Sequence, residues 1–365
     1  MGSLGAISIW LFGLGFLFAG VNINEPYLIS LRGLGAAALF ISSIVVLIFL
    51  IRRGSWNRRG IAGRLLILLW CLPSLSMLYT HTLFEVRKRN VLQTDVVRAR
   101  ILGQHFVVGY SSLDEVVPLA EKGLIAGVYI ARHNIAGRTA EALKFEIAEL
   151  QERRRIAGLP PLIVAADQEG GIVSHLSPPL TAVPALSTLA DLPPNIRAKR
   201  AEDVGRIHGQ ELAALGVNHD FAPVLDLRPK ASRNRLDFNT LVNQRAISGD
   251  PATVADIALA YVRGLDAFDV GATVKHFPGL GRVRSDTHHF SADLDTPFAV
   301  LEASDWRPFR DVLLSHLCVC IWRIQPREAR YGDTARQRDA ATADSPARLR
   351  GGGLKELERS FWHRR

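Results

Sequence analysis

Leu162-Ile163-Val164-Ala165-Ala166-Asp167-Gln168-Glu169-Gly170-Gly171 is a short apolar run that ends in two carboxylates and a pair of glycines. It reads as a buried strand, Leu162–Ala166, with polar chemistry at its C-terminal end. Working outward, similar runs occur upstream at His105–Gly109 and Gly127–Ala131. Downstream they recur at Val217–Phe221, Gly271–Lys275 and Leu317–Ile321. Amphipathic stretches between them predict helices over Leu113–Lys122, Thr139–Ala157, Ala198–Leu215, Pro251–Ala267 and Asp305–Leu314. Strands alternating with helices imply βαβ units around a parallel sheet, an α/β fold. Polar residues sit at or just after the apolar runs: Asp167, His219-Asp220 and Lys275-His276. Chemistry gathered at the C-terminal ends of strands favours a TIM-like (β/α) barrel. A doubly wound sheet gives the same local pattern, but no G-x-G-x-x-G opens a helix here. After Trp322 the text turns Arg- and Ala-rich and includes Gly351-Gly352-Gly353. The barrel is therefore expected to be incomplete at its C-terminal end.

Upstream of the alternation the chemistry is that of a bilayer. Leu4 to Val21 and Leu34 to Ile51 are uncharged runs of 18 residues each, and Leu65 to Thr80 adds 16 more around Pro73. A span needs about 20 apolar residues, with about 17 as the lower limit. The first two runs qualify, and the third does when Ile61 to Gly63 are added. A cleaved leader would begin with a charged region, which Met1 to Trp10 lacks, and would account for one run alone. Arg52, Arg53, Arg58, Arg59 and Arg64 lie between the second and third runs, which puts that loop in the cytoplasm and sends the next helix outward. Arg87, Lys88, Arg89, Arg98 and Arg100, after the third run, pull the other way. The expectation is a multi-pass membrane region over 1–85 with about three transmembrane helices. Beyond it lie a barrel over 100–320, facing the extracytoplasmic side, and a divergent, basic, poorly ordered tail over 321–365.

The formal charge of +9 suggests a nucleic-acid binder until it is divided by region. Residues 1–100 carry +8 and 321–365 carry +5, which leaves −4 on 101–320. A nucleic-acid surface belongs on the folded domain, and that domain is mildly acidic. No nucleic acid is expected as a partner; the bilayer is. Cys71 sits in an apolar run and Cys318 and Cys320 lie two apart, which is neither a disulfide framework nor a zinc knuckle, so all three read as buried thiols.

Three segments carry candidate chemistry. In Asp167-Gln168-Glu169-Gly170-Gly171, Asp167 is suited to hold sugar hydroxyls by charge-assisted hydrogen bonds, and the glycines permit close backbone approach. In the second, Asp220-Phe221-Ala222-Pro223-Val224-Leu225-Asp226 is followed by Gln244-Arg245-Ala246-Ile247-Ser248-Gly249-Asp250-Pro251. Arg245 is a fixed cation there, or a surface arginine ahead of the helix start at Asp250-Pro251. The third runs Lys275-His276-Phe277-Pro278-Gly279-Leu280-Gly281 and then Asp286-Thr287-His288-His289. An imidazole oriented by a nearby carboxylate is a proton shuttle near neutral pH, which singles out His288 with Asp286. His276, His288 and His289 could instead hold a metal, although their spacing matches no familiar ligand pattern.

Together these segments resemble glycoside hydrolase family 3, in its bacterial β-N-acetylhexosaminidase branch of the cell-wall-recycling type. The resemblance rests on DQEGG at 167–171, DFAPVLD at 220–226, QRAISGDP at 244–251 and KHFPGLG-x₄-DTH at 275–288, and it covers about residues 100–318. It implies hydrolysis with retention on a TIM-like barrel, with no metal and no cofactor. The implied substrate is a small carbohydrate bearing terminal β-linked N-acetylglucosamine, such as a peptidoglycan fragment. By position, Asp167, Arg245, Lys275 and His276 would grip the sugar, and His288, oriented by Asp286, would be the acid/base.

The chain departs from the family pattern in places. Leu280 replaces the histidine of the P-G-H-G turn, and Ile172 and His175 stand where arginines are usual. The family nucleophile is an aspartate in an S-D-D-L-like strand end, and its place falls near Lys355-Glu356-Leu357-Glu358, where no such motif occurs. No residue of the sequence is assigned as nucleophile.

Overall fold

The computed structural model describes residues 3–322 apart from 26–27, 29–30, 32, 55–59, 230–239, 284–285, 289–293, 295 and 316–318. The expected tail, with the region around Glu356, lies outside the described residues. So do His289 and Cys318.

Three helices open the chain: α1 (Ser3–Val21), α2 (Leu34–Arg52) and α3 (Gly60–Gln93). Among the described residues two are long and apolar enough to cross a membrane: α2, with mean hydropathy 2.8, and α3, with 1.8. The apolar part of α1, Ile7–Val21, is shorter. The three pack through small residues. A Cβ on Gly13 would meet the Leu69 side chain at 2.7 Å, and one on Gly20 would meet the Pro73 backbone at 3.0 Å. The Ser43 and Ser74 hydroxyls share a buried hydrogen bond, and Trp70 Nε1 donates to the carbonyl of Ile9 at 3.2 Å. Leu11, Phe12, Phe18, Val45, Leu68 and Leu75 point outward and exposed, the reverse of a water-soluble bundle. The third apolar run forms only the first part of its helix, because nothing between Thr80 and Gln93 breaks it and Pro73 sits inside it. Cys71 is a free thiol and only partly buried, so the expectation of full burial is corrected there.

Asp95 caps the short helix α4 (Val96–Gly103), its carboxylate accepting from Arg98 N at 3.0 Å. The alternation then begins: β1 (Val107–Gly109), α5 (Leu113–Lys122), β2 (Gly127–Ile130), α6 (Arg132–Ile135), α7 (Ala140–Ile156) and β3 (Ile163–Ala166). A hairpin of β4 (Gln168–Gly170) and β5 (Val173–Ser174) interrupts it before α8 (Pro194–Leu215) and β6 (His219–Asp220). The chain continues through α9 (Val242–Arg245), α10 (Pro251–Asp266), β7 (Gly271–Phe277), α11 (Phe298–Ala303), α12 (Arg307–Ser315) and β8 (Val319–Trp322). Helix α8 starts at Pro194, earlier than the expected Ala198, since proline at a first helical position lacks a donor the helix would not use. Thr139 and Asp250 cap α7 and α10 as their sequences imply, and Gly123 and Gly216 close α5 and α8 in the left-handed conformation.

Six strands form one sheet in the order β1-β2-β3-β6-β7-β8, every pair parallel. All six expected strands are present within a few residues of their expected bounds. The described strands form an open row with β1 and β8 at its ends. Val128, Ile130, Val164, Ala166, Ala272 and Val274 bury one layer of the core against Leu143, Ile147, Leu212, Ile257, Leu265 and Phe309 from the helices. Helices α8 and α10 touch backbone to backbone, and a Cβ on Gly205 would stand 2.1 Å from the carbonyl oxygen of Tyr261. The C-terminal ends of β3, β6 and β7 therefore sit side by side on a rigid base, and the candidate residues lie there.

Candidate active site at the strand ends

Lys275, near the end of β7, is the centre of the site. Its side chain is 3% exposed and bridges Asp167 and Glu169, donating to Asp167 Oδ1 and to Glu169 Oε1, the latter at 2.6 Å. Arg245 grips the same glutamate with two parallel bonds, Nε to Oε2 at 3.0 Å and Nη2 to Oε1 at 2.5 Å. It also donates to the carbonyl of Thr240 at 2.9 Å and to His276 Nε2 at 3.2 Å. Since arginine only donates, His276 Nε2 accepts, and Nδ1 must carry the proton that it gives to Asp226 at 2.6 Å. Asp226 is completed by Leu280 N at 2.6 Å. On the other side Tyr129 donates to Asp167 Oδ2 at 2.6 Å, and its hydroxyl meets His175 Nδ1 at 2.9 Å.

This is a buried lattice of alternating charge. Burial opposes ionisation of Asp167, but the Lys275 ammonium and the Tyr129 hydroxyl outweigh it and hold the carboxyl at about 2. Burial likewise opposes Glu169 and Asp226; Lys275 and Arg245 bring Glu169 below the usual range, and the hydrogen bonds from His276 and Leu280 N, with Arg245 nearby, do the same for Asp226. His276 is pushed down by burial against the pull of Asp226, which keeps its ring neutral. Lys275 and Arg245 thus satisfy Asp167 and Glu169, and hydrogen bonds from His276 and Leu280 N satisfy Asp226, in a water-poor space where an unmatched charge would be costly.

Asp286 and His288 form a second group, held in the loop after β7. Asp286 is fully buried and accepts from His288 N and His288 Nδ1, both at 2.9 Å. The carboxylate thus holds the imidazole at Nδ1. The His288 side chain stays 29% exposed. Thr240 joins the two groups. Its hydroxyl donates to Asp286 Oδ1 at 3.0 Å and lies 3.4 Å from His288 Nδ1, while its carbonyl receives Arg245. All six residues singled out from the sequence (Asp167, Arg245, Lys275, His276, Asp286 and His288) therefore belong to one connected network. Arg245 is no surface arginine: its side chain is 6% exposed.

Several contributors were not singled out. Glu169 and Asp226 stand inside quoted motifs, but nothing in the spacing says that they take the cations. Tyr129 and Thr240 reach the site from other segments. Beneath the site, Tyr261 donates to Asp220 Oδ2 at 2.8 Å, and Asp220 Oδ1 accepts from Gln168 N at 3.0 Å. His208 Nδ1 lies 2.7 Å from the Tyr261 hydroxyl. Burial pushes Asp220 up to about 8 and His208 down to about 4. The paired glycines need a correction. Gly170 and Gly171, at φ 85° and 63°, turn the β4–β5 hairpin, and Cβ atoms there would collide with Pro184 O at 2.8 Å and Ala185 Cβ at 2.7 Å. They serve chain packing, not an approach to ligand. Leu280, in place of the family histidine, is buried against Val242 and Ala246, and Ile172 is 47% exposed.

Comparison with known proteins agrees with the geometry. Residues 95–320 match the model of the glycosyl hydrolase family 3 N terminal domain. A beta-hexosaminidase of Xanthomonas campestris pv. campestris is 37% identical over 188 residues, which is 51% of this chain and 53% of that protein. One from Xylella fastidiosa is 35% identical over 206 residues, covering 56% and 57%. The chain spans about half the length of the curated relatives it matches. Among solved structures, native NagZ from Neisseria gonorrhoeae superposes with a TM-score of 0.52 at 28% identity, over 60% of this chain and 62% of that one. A family 3 beta-N-acetylglucosaminidase from Paenibacillus sp. str. FPU-7 gives 0.53 at 29% identity, over 63% and 43%. The chain belongs to the family of the glycosyl hydrolase family 3 N-terminal domain.

Proposed function

We propose that the site receives a terminal β-linked N-acetylglucosamine residue of a peptidoglycan fragment and serves hydrolysis of its glycosidic bond with retention. The observation that carries this reading is the junction at Thr240, where the Asp286–His288 dyad meets the cluster of fixed charges at the strand ends. In the reading, Asp167, Lys275, Arg245 and His276 hold the ring. His288 gives a proton through Nε2 to the leaving oxygen and later takes one from water, with Asp286 steadying the imidazolium. No metal or cofactor enters. A TIM-like (β/α) barrel incomplete at its C-terminal end belongs to the same reading, as do domain limits of 1–85, 100–320 and 321–365. Helices α1 to α3 span the bilayer as a multi-pass region and set the domain on the extracytoplasmic side.

A second reading, a homologue that binds the sugar without turning it over, is favoured by one observation. Asp167, Glu169, Asp226 and Asp286 are each engaged by cations or donors, so none of them is poised to attack an anomeric carbon. The full chain in detergent micelles tests both readings. Binding of N-acetylglucosamine with marginal hydrolysis of an aryl N-acetyl-β-glucosaminide is the expected outcome. Ordinary turnover abolished by His288→Ala would mean that a nucleophile outside the described residues completes the site. Absence of binding would remove the substrate assignment.

A further inference from the structure

The end of the domain opposite the site is unusual for its exposed apolar side chains. Phe106 precedes β1 and Ile163 opens β3, and the carbonyl of Phe106 accepts Ala126 N at 2.8 Å while that of Ala126 accepts Ile163 N at 3.0 Å. These residues therefore mark one edge, the N-terminal ends of three neighbouring strands. Phe106 is 55% exposed, and Ile156, at the end of α7, is 72% exposed. Helix α4 lies across the same edge. Its Gly103 packs on the Gly123–Leu124 backbone, and Arg100 Nε donates to the carbonyl of Lys122 at 3.0 Å. The opposite side of α4 turns Val97, Ile101 and Leu102 outward, all more than half exposed. Arg98 stands beside them, while Arg100 turns to the Lys122 carbonyl. Two carboxylates at this edge, Glu121 and Glu149, share the Arg153 guanidinium, at 2.9 and 2.8 Å.

The identity of what covers this edge follows from the chain that leads into it. Only two residues separate α3 from α4. Beyond Phe84, α3 runs on from Glu85 to Gln93, with Arg87, Lys88 and Arg89 among the apolar Val86, Val91 and Leu92, a length of about 13 Å at the α-helical rise. The headgroup layer on one side of a bilayer is about 5–7 Å deep, so an upright α3 carries the start of α4 roughly 6–8 Å past it, and a tilted α3 brings it to the lipid surface. A short helix with an apolar outer side and interspersed arginines is suited to the boundary between headgroups and acyl chains.

We infer that α4 and the N-terminal strand ends form a docking face for an anionic lipid bilayer, which holds the candidate site pointing away from the membrane. From Ile163 to Asp167 the strand rises roughly 13 Å, so the docking face and the site stand at opposite ends of one strand. The inference rests on α2 and α3 being inserted in the bilayer.

The test uses the full chain, with Cys71, Cys318 and Cys320 replaced by serine, in vesicles of phosphatidylcholine and phosphatidylglycerol. Single cysteines at Phe106→Cys, Ile156→Cys, Ile172→Cys and Ile48→Cys carry an environment-sensitive fluorophore, and lipids bearing a shallow nitroxide quench it. The position-48 probe, within α2, reports insertion and should be quenched by a deep nitroxide. Probes at 106 and 156 should lose most of their emission to the shallow one, and the probe at 172, beside the site, should keep its own. Emission at 106 and 156 as well preserved as at 172, with position 48 quenched, overturns the docking face while leaving insertion intact. No quenching at 48 removes insertion and the docking face together. Replacing phosphatidylglycerol with neutral lipid should reduce quenching at 106, and a quenching that ignores lipid charge counts against the anionic preference.

Discussion

The charge lattice around Lys275 and the dyad at Asp286–His288 are neighbours that differ in construction. In the lattice, ion pairs run across strand ends, from Lys275 in β7 to Asp167 and Glu169 beyond β3, and Lys275, Glu169 and Asp226 are almost wholly buried. In the dyad, one buried carboxylate steadies an imidazole that remains partly in water, and the loop that carries both is fastened to the lattice through Thr240. A ring-binding surface gains from fixed positions, since misplacement by about 1 Å can cost on the order of a hundredfold in rate. A group that must exchange protons with solvent gains from partial exposure. The lattice is thus part of the fold, whereas the dyad is attached to it, and substitutions in the two should separate stability from chemistry.

The largest effect is expected for Lys275→Met, which leaves Asp167 and Glu169 without their shared cation. Breaking a buried pair from one side costs about 3–5 kcal/mol, and denaturant unfolding of the domain signal should show it. A loss below about 1 kcal/mol, the range typical of exposed pairs, would erase the distinction between lattice and dyad.

The pH dependence of stability sharpens the picture from below. Asp220 titrates at about 8 when folded, against an ordinary 3.8. Its contribution is complete below about 4, declines as pH rises, and is gone above about 8. Asp167, held at about 2, acts in the opposite sense, contributing above about 4 and losing that contribution as pH falls towards 2. Asp220→Asn should abolish the decline between pH 4 and 8 in thermal unfolding, and an unchanged slope would locate its origin elsewhere.

A smaller change is expected for Thr240→Val, which keeps the shape and removes the hydroxyl bond to Asp286. The cost should be about 0.5–1.5 kcal/mol, with imidazole nitrogen shifts of His288 moving in NMR spectra while those of His276 stay in place. Equal movement at both rings would show that the dyad is not merely attached but integral. A comparable change belongs to His288→Ala, about 0.5–1.5 kcal/mol in stability for the Nδ1 bond it removes from Asp286. A larger loss would make the histidine a structural member of the site.

Much of this architecture was legible in the sequence because it is local. Six short apolar runs and the helices between them need no knowledge of distant partners, and Asp250-Pro251 announces its helix start by itself. The six site residues were legible through ordered motifs that lie at strand ends. The pairing among them was not. Glu169 and Arg245 are 76 residues apart, and Tyr129 and Asp167 are 38 apart. Only the parallel sheet, by stacking strand ends, decides which carboxylate receives which cation. Thr240 follows ten residues outside the described ones and has no periodicity to mark it. The paired glycines were misread for a related reason: the surface they touch, Val183 to Ala185, comes from a loop with no signal that it folds back.

The strand order has one more consequence, in time. Strands join the sheet in the order in which they are made, so the anionic half of the lattice, at the end of β3, leaves the ribosome well before its counter-charge. Asp167 and Lys275 are 108 residues apart. At a synthesis rate of about 5–20 residues per second, that interval is roughly 5–20 s. For that interval the nascent chain carries Asp167 and Glu169 with neither Lys275 nor, at first, Arg245 to receive them, and such carboxylates stay hydrated sooner than enter an apolar interior. The arrival of β7 then acts as a latch, admitting the acids to the interior only when their counter-charge is already in place.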